Sequence, residues 1–331
     1  MSSFSDFEKK YQKAFSTKFL DFINTLFSTS RTNLKEIFFY HLGLDHDNQG
    51  KRVRPLLLLM SAEGAGCDWE RAIPAAIAVE LIHNFSLIHD DIEDNGLIRR
   101  GKPAVWQKWG LAQGINSGDA MFASAFYALS HLEDMNQQQV LEIQKLFFKT
   151  CLELTCGQQM DICFSGMDSI SLNAYRQMIH GKTAALLTCC MRTGAMLAGY
   201  EDDRSDQYAK YGKELGIAFQ IYDDYLGIWG DESVTGKSVF SDLAERKISL
   251  PVLVGLERSP RFREAWVDDQ DHVPIEKMAQ WLSEDGVQEI VRNEYESSTE
   301  EAIRALESMD CRTDVKDALK DLTLKLISRK N

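Results

Sequence analysis

Residues 70–95 read ERAIPAAIAVELIHNFSLIHDDIEDN, and the fold follows from them. From Ala72 to Leu87 the segment is apolar almost all round. A helix of that kind belongs inside a bundle, because no face of it suits water. The same segment then ends in carboxylates: Asp90, Asp91 and Asp94 fall at i, i+1 and i+4. On a helix Asp90 and Asp94 stand one above the other, with Asp91 on the adjacent flank. Like charges so placed repel, and the negative end of the helix dipole adds to the cost. Two unfavourable effects in one place demand a cation. Magnesium takes one or two carboxylates, keeps some waters and completes its shell with phosphate oxygens. Taken alone, the acidic run also reads as a solvated helix end. Five residues beyond Asp94 come Arg99, Arg100 and Gly101. Two arginines supply fork-shaped donors suited to phosphate. Their plainer role is an ion pair back to the acids.

Helical periodicity extends both ways. Upstream, Phe4, Phe7, Tyr11, Phe15, Phe19 or Leu20, and Phe22 or Ile23 recur every three or four residues. Next comes SRTNLKEIFFYHL, with Ser30 or Thr32 as its cap, and then a helix over 53–66. Beyond a basic loop at 99–105, helices are predicted over 117–131, 136–165, 171–199 and 203–230. GDESVTGKS is a polar loop, and shorter amphipathic helices fill 248–257, 274–283, 286–308 and 312–329. No linker or repeat divides the chain, which predicts one domain over residues 1–331. Only 6 prolines and 21 glycines interrupt 331 residues, as long helices require.

A second acidic cluster closes the apolar helix near 230. In GIAFQIYDDYLGIWGD, Gln220, Asp223 and Asp224 share a face. Two aspartate-rich helix ends in an all-α chain can face each other across a cavity and hold metal between them. Basic residues stand in separate, definite places. GKRVRP carries Lys51, Arg52 and Arg54 at a helix start, where anions bind readily. HGKTAAL places Lys182 and Thr183 among small apolar residues, where a lysine could equally just snorkel. Lys237, Arg246 and Lys247 follow.

The formal net charge of −13 excludes general binding of nucleic acid. Seven cysteines, an odd count with no C-x-x-C spacing, argue against a disulfide framework or a zinc site. Reduced thiols suit the cytoplasm. The opening MSSFSDFEKKYQKAF lacks the apolar centre of a signal peptide. No run is expected to reach the ~20 apolar residues of a membrane span.

Taken together the motifs resemble the trans-isoprenyl diphosphate synthase family. The likeness runs through about 50–255 and rests on GKRVRP, IHNFSLIHDDIEDNGLIRRGKPAVW, the GD at 118–119, GQQMD at 157–161, GKTAAL, FQIYDDYLGIWGD, TGKS and RKISLP. It implies an all-α isoprenoid synthase fold, a large antiparallel helical bundle around a central cavity, in a homodimer. Asp90, Asp91 and Asp94 match the first aspartate-rich motif, and Asp223 and Asp224 the second. Both would bind magnesium, three ions per site, on the allylic diphosphate, assisted by Arg99, Lys182 and Lys237. Lys51, Arg54, His83 and Arg100 match the isopentenyl diphosphate site. Gln158, Asp161, Thr183 and Gln220 match polar positions lining the reaction centre. One departure stands out. The second motif usually ends in a third aspartate, where this chain has Gly227; Asp231 lies four residues on.

The implied reaction ionises an allylic diphosphate (dimethylallyl, geranyl or farnesyl) and adds isopentenyl diphosphate to the cation. The departed diphosphate accepts the proton, so no protein base is required. Phe85 lies five residues before Asp90, about one and a half turns deeper, where it would stop the growing tail. That pattern resembles geranylgeranyl diphosphate synthases, with farnesyl diphosphate as the next product. A class I terpene cyclase is a rival, but it would leave Lys51, Arg54, His83 and Arg100 without purpose. A non-catalytic subunit of a prenyl synthase is a second rival, resting on Gly227 alone.

Overall fold

The computed structural model describes residues 3–44, 50, 52–133, 135–230, 240–267 and 273–327. The chain is almost wholly helical, as expected. Helix α1 (Phe4–Leu26) buries Phe4, Phe7, Tyr11, Phe15, Phe19 and Ile23, so that of the two alternatives left open Phe19 and Ile23 are the buried ones. A capping box closes its start, with the Ser3 N–H and hydroxyl both on Asp6 Oδ2. Helix α2 (Leu34–Leu42) is capped by Asn33 rather than Ser30 or Thr32. Those two hydroxyls bond each other at 2.9 Å, and Thr32 reaches only the Leu34 N–H, at 3.4 Å.

Helix α3 (Val53–Gly64) leads through a 3₁₀ turn, Trp69–Ala72, into α4 (Ile73–Glu93). A small hairpin follows, strands β1 (Ile98–Arg99) and β2 (Lys102–Pro103), where an irregular basic loop was expected. Next come α5 (Val105–Trp109), α6 (Leu111–Leu129), α7 (Gln137–Phe164) and α8 (Leu172–Ile179). Helix α6 begins six residues before the predicted start, because Gly110, at φ +89, re-aims the chain. The predicted helix 171–199 is broken by a π-helical turn, His180–Ala184, ahead of α9 (Ala185–Leu197). The remainder comprises α10 (Asp202–Trp229), α11 (Ser241–Ala244), α12 (Leu250–Arg258), α13 (Pro260–Val267), α14 (Ile275–Glu284), α15 (Val287–Ser308) and α16 (Thr313–Ile327). Helix α13 escaped the sequence reading, although Ser259-Pro260 is a start signal: the Ser259 hydroxyl accepts from Phe262 N–H at 3.3 Å.

The chain forms two compact units. The first contains 1–151, 189–209 and 310–319, and the second 152–188, 210–309 and 320–331. In the first, α4 is the central element, with every residue from Ala75 to Ile82 buried. The stretch Trp69–Glu93 is long and apolar enough by composition to cross a membrane, contrary to expectation, but 67% of its best window is buried inside the protein. Glu63 ties the ends of this unit together. It accepts from Lys10, from the Tyr11 hydroxyl at 2.6 Å and from Arg312 at 3.2 Å. The second unit packs around Tyr175, Ile221, Ile228, Val252, Phe262, Trp266, Leu282 and Val291.

Candidate active site

The first unit holds the first acidic motif and its arginines. Arg100 and Gly101 form the two-residue turn of the hairpin, both at positive φ (+53 and +75). A tight hairpin turn of this hand needs positive φ at both central positions, which is why glycine follows the arginines. Arg100, which has a Cβ, holds it at a cost of about 1 kcal/mol. Within the hairpin the two arginines part company. Arg99 turns back on Asp91, with Nη2 at 2.6 Å and Nε at 3.0 Å from Oδ1. Asp91 is buried, so this pair is the plain ion-pair role, not an open phosphate donor. Stranding that carboxylate would cost about 3–5 kcal/mol. Asp90 is half-buried, and Asp94, the C-cap of α4, is exposed.

Arg54, His83, His41 and Arg100 cluster behind them. Arg54 Nη1 stands 3.2 Å from His83 Nε2. A guanidinium can only donate, so His83 accepts on Nε2 and is neutral. Burial, then Arg54 and Arg100, keep its pKa well below the usual value. Burial and the same arginine side of the site lower His41 to about 3. Arg54 Nε and His41 Nε2 are buried without a hydrogen-bond partner among the described residues. A buried guanidinium donor without an acceptor is costly unless a ligand completes it. Arg52 faces elsewhere. Its guanidinium lies over Phe15 and Phe19, and Nη1 donates to Ser16 at 3.2 Å, so it anchors α1. Lys51 lies outside the described residues.

Phe85 begins a ladder of rings. It meets Phe122 at 5.0 Å, Phe122 meets Phe126 at 5.1 Å, and Phe126 stacks on Phe148 at 4.2 Å. The sequence singled out the first ring alone; the others stand on α6 and α7 and share no local pattern with it.

The second unit holds the second acidic motif. Asp224 is buried and accepts from the Tyr175 hydroxyl (2.7 Å), Gln220 Nε2 (2.9 Å) and the Leu250 N–H (3.0 Å). Burial raises its pKa to about 6, against the pull of those three donors. Gln220 Oε1 in turn accepts from the Thr183 hydroxyl at 2.6 Å. Lys182 is paired with Asp161 at 2.5 Å, and Asp223 is half-buried. Gln158 is half-buried on α7, three residues before Asp161. Tyr175 was not foreseen, because one tyrosine on the apolar face of an amphipathic helix reads as core.

The π turn that carries Lys182 and Thr183 is pinned backbone to backbone. A Cβ on Gly157 would fall 2.2 Å from Lys182 N, and one on Gly181 would fall 2.7 Å from Glu153 O. Glycine at both positions is therefore a matter of space. Gly227, the departure from the motif, has a similar explanation. A Cβ there would lie 2.4 Å from the Asp242 carboxylate, which fills the place of the absent side chain. Asp231 and Lys237 lie outside the described residues.

Among the described residues no three His, Cys, Asp or Glu side chains close on one metal site. One or two carboxylates per ion, with phosphate oxygens completing the shell, is the pattern these donors fit.

Residues 33–282 match the polyprenyl synthetase family model. The chain belongs to the polyprenyl synthetase family. It is accordingly an enzyme of prenyl transfer. It is 38% identical over 266 residues to the geranylgeranyl diphosphate synthase of Methanosarcina mazei, covering 80% of this chain and 82% of that one. It is 40% identical over 227 residues to the (2E,6E)-farnesyl diphosphate synthase of Mycobacterium tuberculosis, covering 66% of this chain and 62% of that one. Its fold is like that of geranylgeranyl pyrophosphate synthetase from Pyrococcus horikoshii, with a TM-score of 0.88, 29% identity and 99% and 98% of the two chains covered. A geranylgeranyl pyrophosphate synthase from Corynebacterium glutamicum, solved with isoprenyl diphosphate and magnesium, matches at a TM-score of 0.85 and 25% identity over 97% and 99% of the chains.

Proposed function

We propose that this chain joins isopentenyl diphosphate head to tail to an allylic diphosphate, with geranylgeranyl diphosphate as its main product. The observation that carries the reading is a division of labour within each acidic motif. Asp91 and Asp224 are buried and bound to protein donors, Arg99 in one case, Tyr175, Gln220 and the Leu250 N–H in the other. They hold the helix ends in place. Asp90, Asp94 and Asp223 would be the direct ligands of magnesium. The metal, when bound, neutralises the leaving diphosphate as the allylic C–O bond breaks.

Arg54, His83 and Arg100, with Lys51, bind the isopentenyl diphosphate. His83 is neutral and takes its proton on Nδ1, so it offers a dipole rather than a charge. Lys182, Lys237 and Arg99 serve the allylic diphosphate. Arg99 does so from its place on Asp91, steadying the motif. The Thr183–Gln220 pair lines the reaction centre, and its oriented dipoles stabilise the allylic cation. Phe85 stops the tail, backed by Phe122. We read both compact units as one domain, since the family match runs through both. We place it in the cytoplasm as a homodimer with no nucleic-acid partner. Among the described residues, none of the seven cysteines is joined in a disulfide.

Farnesyl diphosphate is the second reading, favoured by the mycobacterial relative. One assay decides between the two. Purified protein is incubated with magnesium, isopentenyl diphosphate and each of the three short allylic diphosphates, and products are read by mass. The expected product has twenty carbons, and chelating the metal abolishes it. Phe85→Ala lengthens it by one or more five-carbon units. Hydrocarbon without isopentenyl diphosphate, or no turnover at all, would sink the proposal.

A further inference from the structure

Arg100 is gripped from behind by groups that the proposed reaction does not use. Its Nη1 donates to the His41 carbonyl at 3.1 Å, and its Nη2 donates to Asn84 Oδ1 at 3.3 Å. Asn84 is completely buried, one helical turn after Glu80, which is buried too. The amide Nδ2 of Asn84 donates to the Glu80 carbonyl at 2.8 Å and to Glu80 Oε1 at 3.0 Å. Its orientation is thereby forced. A guanidinium offers donors only and a carboxylate acceptors only, so one amide orientation alone satisfies both neighbours.

The arrangement solves a definite problem. Arg100 sits at a positive-φ turn position on a long side chain with about 2 kcal/mol of rotamer entropy. Left alone, it would sample many directions. A carboxylate in direct contact would fix it, but would also neutralise it and occupy the fork that phosphate needs. The Asn84 amide stands between the two charges. Glu80 supplies field to Arg52, Arg54 and Arg100 together, while among the described residues the hydrogen bonds of Arg100 go to neutral acceptors.

We propose that Asn84 is a positioning residue for Arg100: Glu80 fixes the amide, and the amide fixes the guanidinium plane that meets isopentenyl diphosphate. The inference rests on the reading of Arg100 as a diphosphate contact, and the experiment separates the two. Four variants are compared with the wild type: Asn84→Leu, Asn84→Ser, Arg100→Gln and the double Asn84→Leu/Arg100→Gln. Leucine keeps the branched shape at a larger volume and removes the hydrogen bonds; serine, small and polar, carries the test if the leucine variant does not fold. Steady-state kinetics are read separately for each substrate. Asn84→Leu raises the KM for isopentenyl diphosphate about tenfold, the worth of one charge-assisted hydrogen bond. Its kcat and its KM for the allylic diphosphate move by no more than about twofold. The double variant is no weaker than Arg100→Gln alone, as required of a residue that acts through Arg100. If Arg100→Gln raises that KM and neither Asn84 variant does, Asn84 does not position it. Additive losses in the double variant overturn the positioning role equally. If Arg100→Gln leaves the KM unmoved, the reading of Arg100 itself falls.

Discussion

At the scale of single residues, the two histidines beside Arg54 and Arg100 are held neutral by burial and by those charges. His41 shows the consequence for stability. Its folded pKa of about 3 lies far below the ordinary histidine value, with burial the first cause and Arg100 the second. In the unfolded chain the imidazole gains a proton near pH 6.5; in the folded chain it resists until about 3. The unfolded state therefore binds more protons across that window. The contribution of His41 is complete above pH 6.5 and is lost as the pH falls toward 3. Between pH 6.5 and 5 the loss is about 2 kcal/mol for this group. Urea unfolding at pH 7 and pH 5 should show it, and His41→Asn should flatten the difference by that amount. An unchanged pH slope in the variant would remove His41 from the account. The sequence pointed to Asp90 and Asp94 by their helical spacing, to Arg54 and Arg100 as cations suited to phosphate, and to His83 only through the family resemblance. It could not point to Asn84, Glu80, Tyr175 or Asp242. A polar residue inside an apolar helix acquires meaning only from its partner, and for Tyr175 that partner lies 49 positions away.

At the scale of elements, helices were legible and their interruptions were not. The stripe of α1 and the apolar length of α4 leave one choice of secondary structure. The π turn at His180–Ala184 has no local signature, because its cause is the backbone of α7 pressed against it. Gly157 is where that contact can be tested. A methyl group there would meet Lys182 N at 2.2 Å and Gly181 C at 2.6 Å, and backbone atoms in a packed helix cannot yield. Gly157→Ala must therefore push the π turn away from α7. Overpacking of this kind costs about 1–3 kcal/mol. The activity should suffer more than the stability, since a shift of about 1 Å at a reaction centre can cost about a hundredfold. Thermal unfolding and turnover measured on the same preparation check both halves. A variant with wild-type midpoint and wild-type kcat would show that the contact carries no strain and that Lys182 and Thr183 do not depend on it.

At the scale of the whole molecule, the question is what covers the outer face of α6 and α7. The net charge of −13 keeps separate copies apart, so any association needs an apolar face to overcome it. Leu111 and Ile115 on α6 and Leu141 and Phe148 on α7 are all exposed, at 53%, 45%, 43% and 52%. Leu111 and Ile115 stand one turn apart on α6, Leu141 and Phe148 two turns apart on α7, and Phe126 of α6 stacks on Phe148. A single exposed leucine means little, but large apolar side chains repeated along two neighbouring helices are what an interaction surface needs. A second copy of the chain is the occupant the proposed homodimer requires. Charges introduced at exposed positions of an isolated chain usually change its stability by less than about 0.5 kcal/mol. Buried in an interface without partners, the same charges cost several kcal/mol each, by the desolvation argument. The double variant Ile115→Glu/Leu141→Glu should thus keep its helical content and sediment as a single chain of 37.6 kDa, where the proposed homodimer requires twice that mass of the wild type. A variant that still sediments as two copies would place the contact on another face, and a wild type that sediments singly would end the homodimer reading altogether.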